Sequence, residues 1–268
     1  MNIIIATYKK NRMVIKRAMP WSFMFSRITD GVSAIVFPFF IYTFFLSKNL
    51  NKEFSLYTNS ADYMTYIVLG SSLNVLAVAT LMNIGRALIT EQRQGTLEPF
   101  ILSPASRIAY FIGCLAEQTS RALVEFAVVI VVGAILGAEL SRIFCIDSLI
   151  TILLAVLSFF CLGLFLSSVM LYTRDTYITQ NTLFNVMTLC CGVIYPIEYL
   201  PKWLQYIAQI LPLTPSVKLF RIIVIGQGSL QSNYSLIIHI AVLCVAYAII
   251  GVKWYRKIEK TLVENVFV

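Results

Sequence analysis

Six stretches of the chain stay apolar for about the length of a bilayer crossing, and the polar residues gather between them. They are Gly31–Ser47, Tyr63–Ile84, Ile108–Ala138, Ser148–Tyr172, Thr176–Pro196 and Tyr234–Val252. A hydrocarbon core needs roughly 20 apolar residues in a helix. Backbone N–H and C=O groups in lipid must be satisfied within the segment, so each stretch predicts a helix. None shows the two-residue alternation of an outer-membrane barrel strand. Pro38 predicts a kink in the first span. The expected fold is therefore an all-α integral membrane protein with six transmembrane helices, forming one domain over 1–268 without an internal repeat.

The polar stretches carry their own patterns. Tyr8–Phe25 interleaves basic residues with Met13, Val14, Ile15, Met19, Trp21, Phe23 and Phe25. That mixture predicts an amphipathic helix lying along the membrane surface within a cytoplasmic segment 1–27, with Trp21 near the headgroups; a partly ordered basic tail is the alternative. The start of the chain reads as a basic lead into an anchor rather than a removable signal. The connection 197–233 is long yet rich in Leu, Ile and Trp. Its pieces Leu200–Leu211 and Pro215–Ile225 are each too short to span, and Pro201, Pro212 and Pro215 are placed to break and redirect the chain. This predicts external re-entrant helices before the last span, with Trp203 among them.

Charge sets the orientation. Fourteen Lys and Arg fall on the side of the two termini and the loops at 85–107 and 173–175, against six on the other side. Positive residues stay in the cytoplasm, so both termini are expected there. An even number of spans requires the same.

Composition closes off other classes. Of the 268 residues 59% are hydrophobic and only 13% charged, and the mean hydropathy is +0.80. Too little polar surface exists to cover a soluble particle of this size. The net charge of +8 does not indicate nucleic acid, because no basic stripe with interleaved aromatics lies outside the spans. The six cysteines form no CxxC pair and share no spacing with the single histidine, His239; they read as small apolar packing residues. No phosphate-binding GxxxxGK[ST], HExxH or GxSxG is present, so catalysis by this chain is not expected.

Two places carry chemistry. In the third span Glu117, Arg121 and Glu125 repeat every four residues on one helix face. They either line a pathway or a partner contact, or neutralise one another near the interface. Asn74, Asn83, Asn181 and Asn185 are expected to hydrogen-bond between helices. The second place is the loop 85–107, with Glu91, Gly95, Thr96, Leu97, Glu98, Phe100, Leu102 and Pro104. A short amphipathic helix here either presents its apolar side to a groove on a cytoplasmic partner or packs on its own bundle.

The run Glu91-x-x-x-Gly95-Thr96-Leu97-Glu98, followed by Leu102-x-Pro104 with Ser103 between, resembles the signature between the second and third spans of the type-2 ABC transporter permeases. Pro196 to Gln205, then Leu211-Pro212-Leu213-Thr214-Pro215 and Arg221, resembles the external region before the last span in that family. One departure is visible: many members have an aromatic residue where this chain has Pro215. The resemblance covers the whole chain and implies the membrane-spanning subunit of a bacterial ABC exporter in the cytoplasmic membrane. It implies two permease chains, alike or different, over two copies of an ABC ATPase subunit. ATP and Mg would be bound by that partner, so no cofactor is expected in this chain. The loop around Gly95–Pro104 would be the coupling helix, with Glu91 and Glu98 as polar docking contacts and Leu97 and Phe100 as apolar anchors. An amphipathic, drug-like, peptide or lipid- or glycan-linked substrate is implied. A secondary transporter driven by an ion gradient is the competing class, with Glu117, Arg121 and Glu125 its only candidate residues. A membrane-embedded enzyme is a third, for which one histidine offers little. A cysteine replacing Gln94 should react with impermeant thiol reagents only from the cytoplasmic side, and one replacing Gln205 only from outside. The reverse pattern would invert the topology.

Overall fold

The computed structural model describes residues 2–18, 22–45, 54, 57–58, 62–103, 106–173, 177–226 and 228–266. Among these, regular structure is entirely helical. The helices are α1 (Ile3–Ala18), α2 (Ser22–Phe40), α3 (Tyr63–Arg93), α4 (Leu97–Leu102), α5 (Arg107–Ile135), α6 (Ile146–Thr173), α7 (Tyr177–Cys190), α8 (Lys202–Ile210), α9 (Leu213–Ile225) and α10 (Tyr234–Val266). Trp21, Pro104 and Arg174 lie outside the described residues.

Four described helices are long and apolar enough to cross a membrane: α3, α5, α6 and the stretch Gln231–Lys260, a 3-10 turn at Gln231–Asn233 followed by most of α10. The pair α8 and α9 would add a fifth if taken as one span, but it is bent by 88°. Two expected crossings look different. The first continues through Pro38 without a break and widens into a π-helical turn at Ile41–Phe45. Proline removes one backbone donor, and a π turn is one way a helix absorbs such a defect. The fifth stops at Cys190, six residues short of the expected Pro196. At 1.5 Å per residue its 14 residues give about 21 Å. Gly192, at φ +72°, turns the chain there.

Helix α3 is the central rod. It packs against α5 on one side and α6 on the other, and α10 covers the far face of α6. Leu69, Leu73, Leu76 and Ile84 of α3 are fully buried, together with Phe159 of α6 and Phe220 of α9. Asn74 of α3 donates to Thr188 Oγ1 of α7 at 3.3 Å, an interhelical bond as expected; Asn83 turns back to Ala79 O of its own helix. Helix α3 also runs nine residues past the expected Ile84, because Leu88, Ile89 and Glu91 find buried partners there.

Prolines shape the other end. Pro201 and Pro212 stand just before α8 and α9, where a missing N–H costs nothing. Pro215, expected from the sequence to break the chain, does not; it sits in the first turn of α9, where no helical hydrogen bond is lost. Trp203 and Tyr206 of α8 are exposed, whereas α9 is buried over α3 and α6.

Arg221 fastens α9. It is buried, and its guanidinium donates to Tyr66 O (Nε 3.1 Å, Nη2 2.8 Å), Gly192 O (Nη1 2.7 Å) and Val193 O (Nη2 2.8 Å). It also lies over the Tyr66 ring, 3.3 Å from its centroid. Gly192 and Val193 follow the end of α7, where carbonyls have no helical donors. One planar cation therefore joins α3, α9 and the chain beyond α7. Gly70 makes this possible, since a Cβ there would overlap both Arg221 Nη2 and Val193 O. Arg221→Met should lower stability by about 3 kcal/mol, the cost of stripping a buried charged donor from several acceptors. Arg221→Lys should recover less than half, because an ammonium cannot span the fork. An unchanged thermal midpoint for Arg221→Met in detergent would remove the guanidinium from the supports of the fold.

Candidate functional site

The corner where α3, α4 and α5 meet is built around Glu91. Helix α3 ends at Arg93, Gln94 caps it by donating to Thr90 O, and Gly95 takes φ +69°. That left-handed step is open to glycine at little cost. It returns Thr96 over the helix end, so that Thr96 N donates to Glu91 O at 2.9 Å. The Thr96 hydroxyl donates to Glu91 Oε2 at 2.5 Å. The buried Glu91 carboxylate also accepts from Lys10 Nζ of α1 at 2.5 Å and from the Tyr110 hydroxyl of α5 at 3.0 Å. One carboxylate thus ties α1, α3, the Gly95–Thr96 turn and α5.

Helix α4 rests on this corner. Leu97 is buried in one hydrophobic cluster with Ile84, Leu88, Tyr110 and Phe111. Phe100 packs on Tyr110, with ring centroids 4.6 Å apart. Arg107 secures the other end of α4. It donates from Nη2 to Ile101 O at 2.5 Å and from Nη1 to Ser103 O at 3.3 Å, and stacks on Phe100 at 4.8 Å. Its Nε meets Glu259 of α10 at 2.9 Å. The outward face of α4 carries Glu98, Pro99 and Leu102, continuing from exposed Arg93, Gln94 and Thr96; Leu102 is 59% exposed.

The residues expected from the sequence to meet a partner divide by exposure. Glu91 and Leu97 do not face outward, and Phe100 is half-buried: the burial rewards available within the bundle claim all three. Glu98 and Leu102 do face outward. Lys10 and Tyr110 escaped the sequence reading because one sat in a basic tail and the other in an apolar run. Their only signal was a carboxylate at the end of a span, which requires donors nearby.

Helix α1 lies along α5, with Asn11 Nδ2 donating to Cys114 Sγ at 3.3 Å. A Cβ on Gly113 would come within 2.7 Å of Thr7 Cβ, so the helices touch backbone to side chain. Between α1, α3 and α5 is a cleft of about 340 Å³ lined by Asn83, Arg86, Glu117, Gln118 and Arg121 as well as Val14 and Ile15. Glu117 and Arg121 pair there: Arg121 Nε lies 2.8 Å from Glu117 Oε1, and Nη2 donates to Oε2 at 2.9 Å. Nη2 also donates to Gln118 Oε1. The two charges neutralise each other, as one of the two expectations had it, and they also line this cleft. Glu125 is buried one turn beyond Arg121 and does not line it.

The family described as ABC-2 type transporter matches residues 10–225, from Lys10 to the end of α9. The chain belongs to that family. It is a membrane transport component, and the matched region contains both the Glu91 corner and Arg221. Nodulation protein J of Rhizobium leguminosarum bv. viciae is 26% identical over 243 residues, covering 90% of this chain and 88% of the relative. Nodulation protein J of Bradyrhizobium diazoefficiens is 26% identical over 192 residues, 70% of each chain.

Glu91→Ala should cost about 2–4 kcal/mol, because it leaves buried donors without an acceptor. Lys10→Met should cost about 1 kcal/mol or less, since Lys10 is 44% exposed and rehydrates. Thermal unfolding in detergent measures both. Equal losses would show that Glu91 serves only Lys10.

Proposed function

We propose that this chain is the permease subunit of an ATP-driven ABC exporter. The observation that carries the reading is the outward face of α4, held from behind by Glu91 and Arg107. A short helix fixed on two charged anchors can pass a push from a partner into α3, α5 and α10, where a loose loop would absorb it. The partner is an ABC ATPase, two copies beneath two permease chains, and it holds ATP and Mg. Its state biases the bundle between inward-facing and outward-facing arrangements.

In this reading α2, α3, α5, α6, α7 and α10 make six crossings of a bacterial cytoplasmic membrane. The basic end of the bundle faces the cytoplasm, and α8 and α9 dip into the outer side. The end-to-end placement supports it: α1 and the last turns of α10 both meet the α3–α5 corner, through Lys10–Glu91 and Arg107–Glu259. An amphipathic substrate fits the mixed lining of the α1–α3–α5 cleft, amides and ion pairs beside Val14 and Ile15.

Affinity purification in mild detergent should recover a soluble subunit carrying a Walker A motif. Glu98→Lys with Leu102→Asp should abolish that recovery, yet leave the stability of the chain, read from thermal unfolding in detergent, within about 0.5 kcal/mol of wild type, as exposed substitutions do. Recovery of the intact chain alone, with transport that collapses with the ion gradient rather than with ATP, would overturn the reading.

A further inference from the structure

A second depression, of about 250 Å³, opens between α5, α6 and α10 at the same end of the bundle. Its floor is apolar, with Phe111 of α5, Phe160 and Leu164 of α6, and Gly251 of α10. Gly251 sets its depth, because a Cβ there would lie 3.0 Å from Phe165 N. Ile108 stands at the edge and is 65% exposed. Its rim is charged: Arg107, Arg256 and Glu259, beside Ser106 at the start of α5. The exposed face of α10 adds Lys253, Lys257 and Lys260 around Arg256, and the positive end of the α5 dipole points to the same place.

The apolar floor formed by Phe111, Phe160 and Leu164 offers a surface on which an acyl chain displaces water favourably. The rim then selects the headgroup. Two guanidiniums and a helix N-terminus against one carboxylate favour a negative one, as basic pockets between transmembrane helices do. Trp254, 43% exposed and next to Tyr255 of the groove wall, has the aromatic character of an interfacial position.

We propose that this groove is a binding site for an anionic phospholipid, its phosphate between Arg107 and Arg256 and an acyl chain along Phe111, Phe160 and Leu164. The site has a direct line to α4. Arg107 is shared between the Ile101 and Ser103 carbonyls and Glu259, so a phosphate at the rim competes with Glu259 and changes how firmly α4 is held. This link rests on the role proposed for α4, but binding itself does not.

Native mass spectrometry of the purified chain in mild detergent tests binding without ATPase or transport. The probes are phosphatidylglycerol and phosphatidylcholine of identical acyl chains. Wild type should prefer phosphatidylglycerol at least fivefold, and Arg256→Gln should remove about fivefold of affinity for it, one basic contact's worth. Arg256→Lys should retain most of the preference, and Lys202→Gln at the opposite end should retain all of it. As a second readout, Ile108→Trp, in a chain whose three tryptophans are changed to Phe, should be quenched more by brominated phosphatidylglycerol than by brominated phosphatidylcholine in mixed vesicles. Equal affinity for the two lipids, or the same loss from Lys202→Gln as from Arg256→Gln, would overturn the proposal.

Discussion

A buried cation must be surrounded by acceptors, and in this bundle Arg221 is surrounded by backbone. Its donors end on the carbonyls of Tyr66, Gly192 and Val193 rather than on a carboxylate. Those last two carbonyls exist as acceptors because α7 stops early and the chain turns at Gly192. The same low dielectric that makes an unpaired carbonyl costly makes the guanidinium effective there. This interaction gives α9 directional hydrogen bonds to α3, which apolar contacts, fixing neither depth nor register, cannot supply.

The other end uses the opposite sign. Glu91 is a buried anion whose donors come from three directions, and each donor belongs to a different element. Its effect is to make the Gly95–Thr96 turn and α4 part of the bundle rather than an appendage. Arg107 does the same from the far side of α4 and extends the connection to α10. The exposed residues of α4 are consequently presented on a surface whose position is set by two charges.

Both clamps act on one helix. Tyr66 and Glu91 are 25 positions apart on α3, about 38 Å at 1.5 Å per residue. Helix α3 is also the most enclosed of the long helices, with α5 and α6 on its flanks. A displacement imposed at the α4 end therefore meets a continuous rod that reaches the Arg221 clamp.

The apolar runs by themselves determined the class of the protein, because a chain with this little polar surface has nowhere to fold but in lipid. They also located α3, α5, α6 and α10, since each run exceeds a bilayer crossing. The motif from Glu91 to Leu102 was visible as a break in that pattern, and so were the prolines flanking α8 and α9. What the sequence could not carry was direction. Glu91 and Leu97 read equally well as contacts for a partner or for the bundle, and only packing against Lys10, Tyr110 and Phe111 turned them inward. Pro215 looks like a breaker until its position in the first turn of α9 is known. Arg221 stood out as a charge within Leu219-Phe220-Arg221-Ile222, but its acceptors lie 28 or more residues away in sequence. Periodicity records which side of a helix is apolar; which neighbour meets that side, and which orphan carbonyl a buried charge will find, is decided only when the helices assemble.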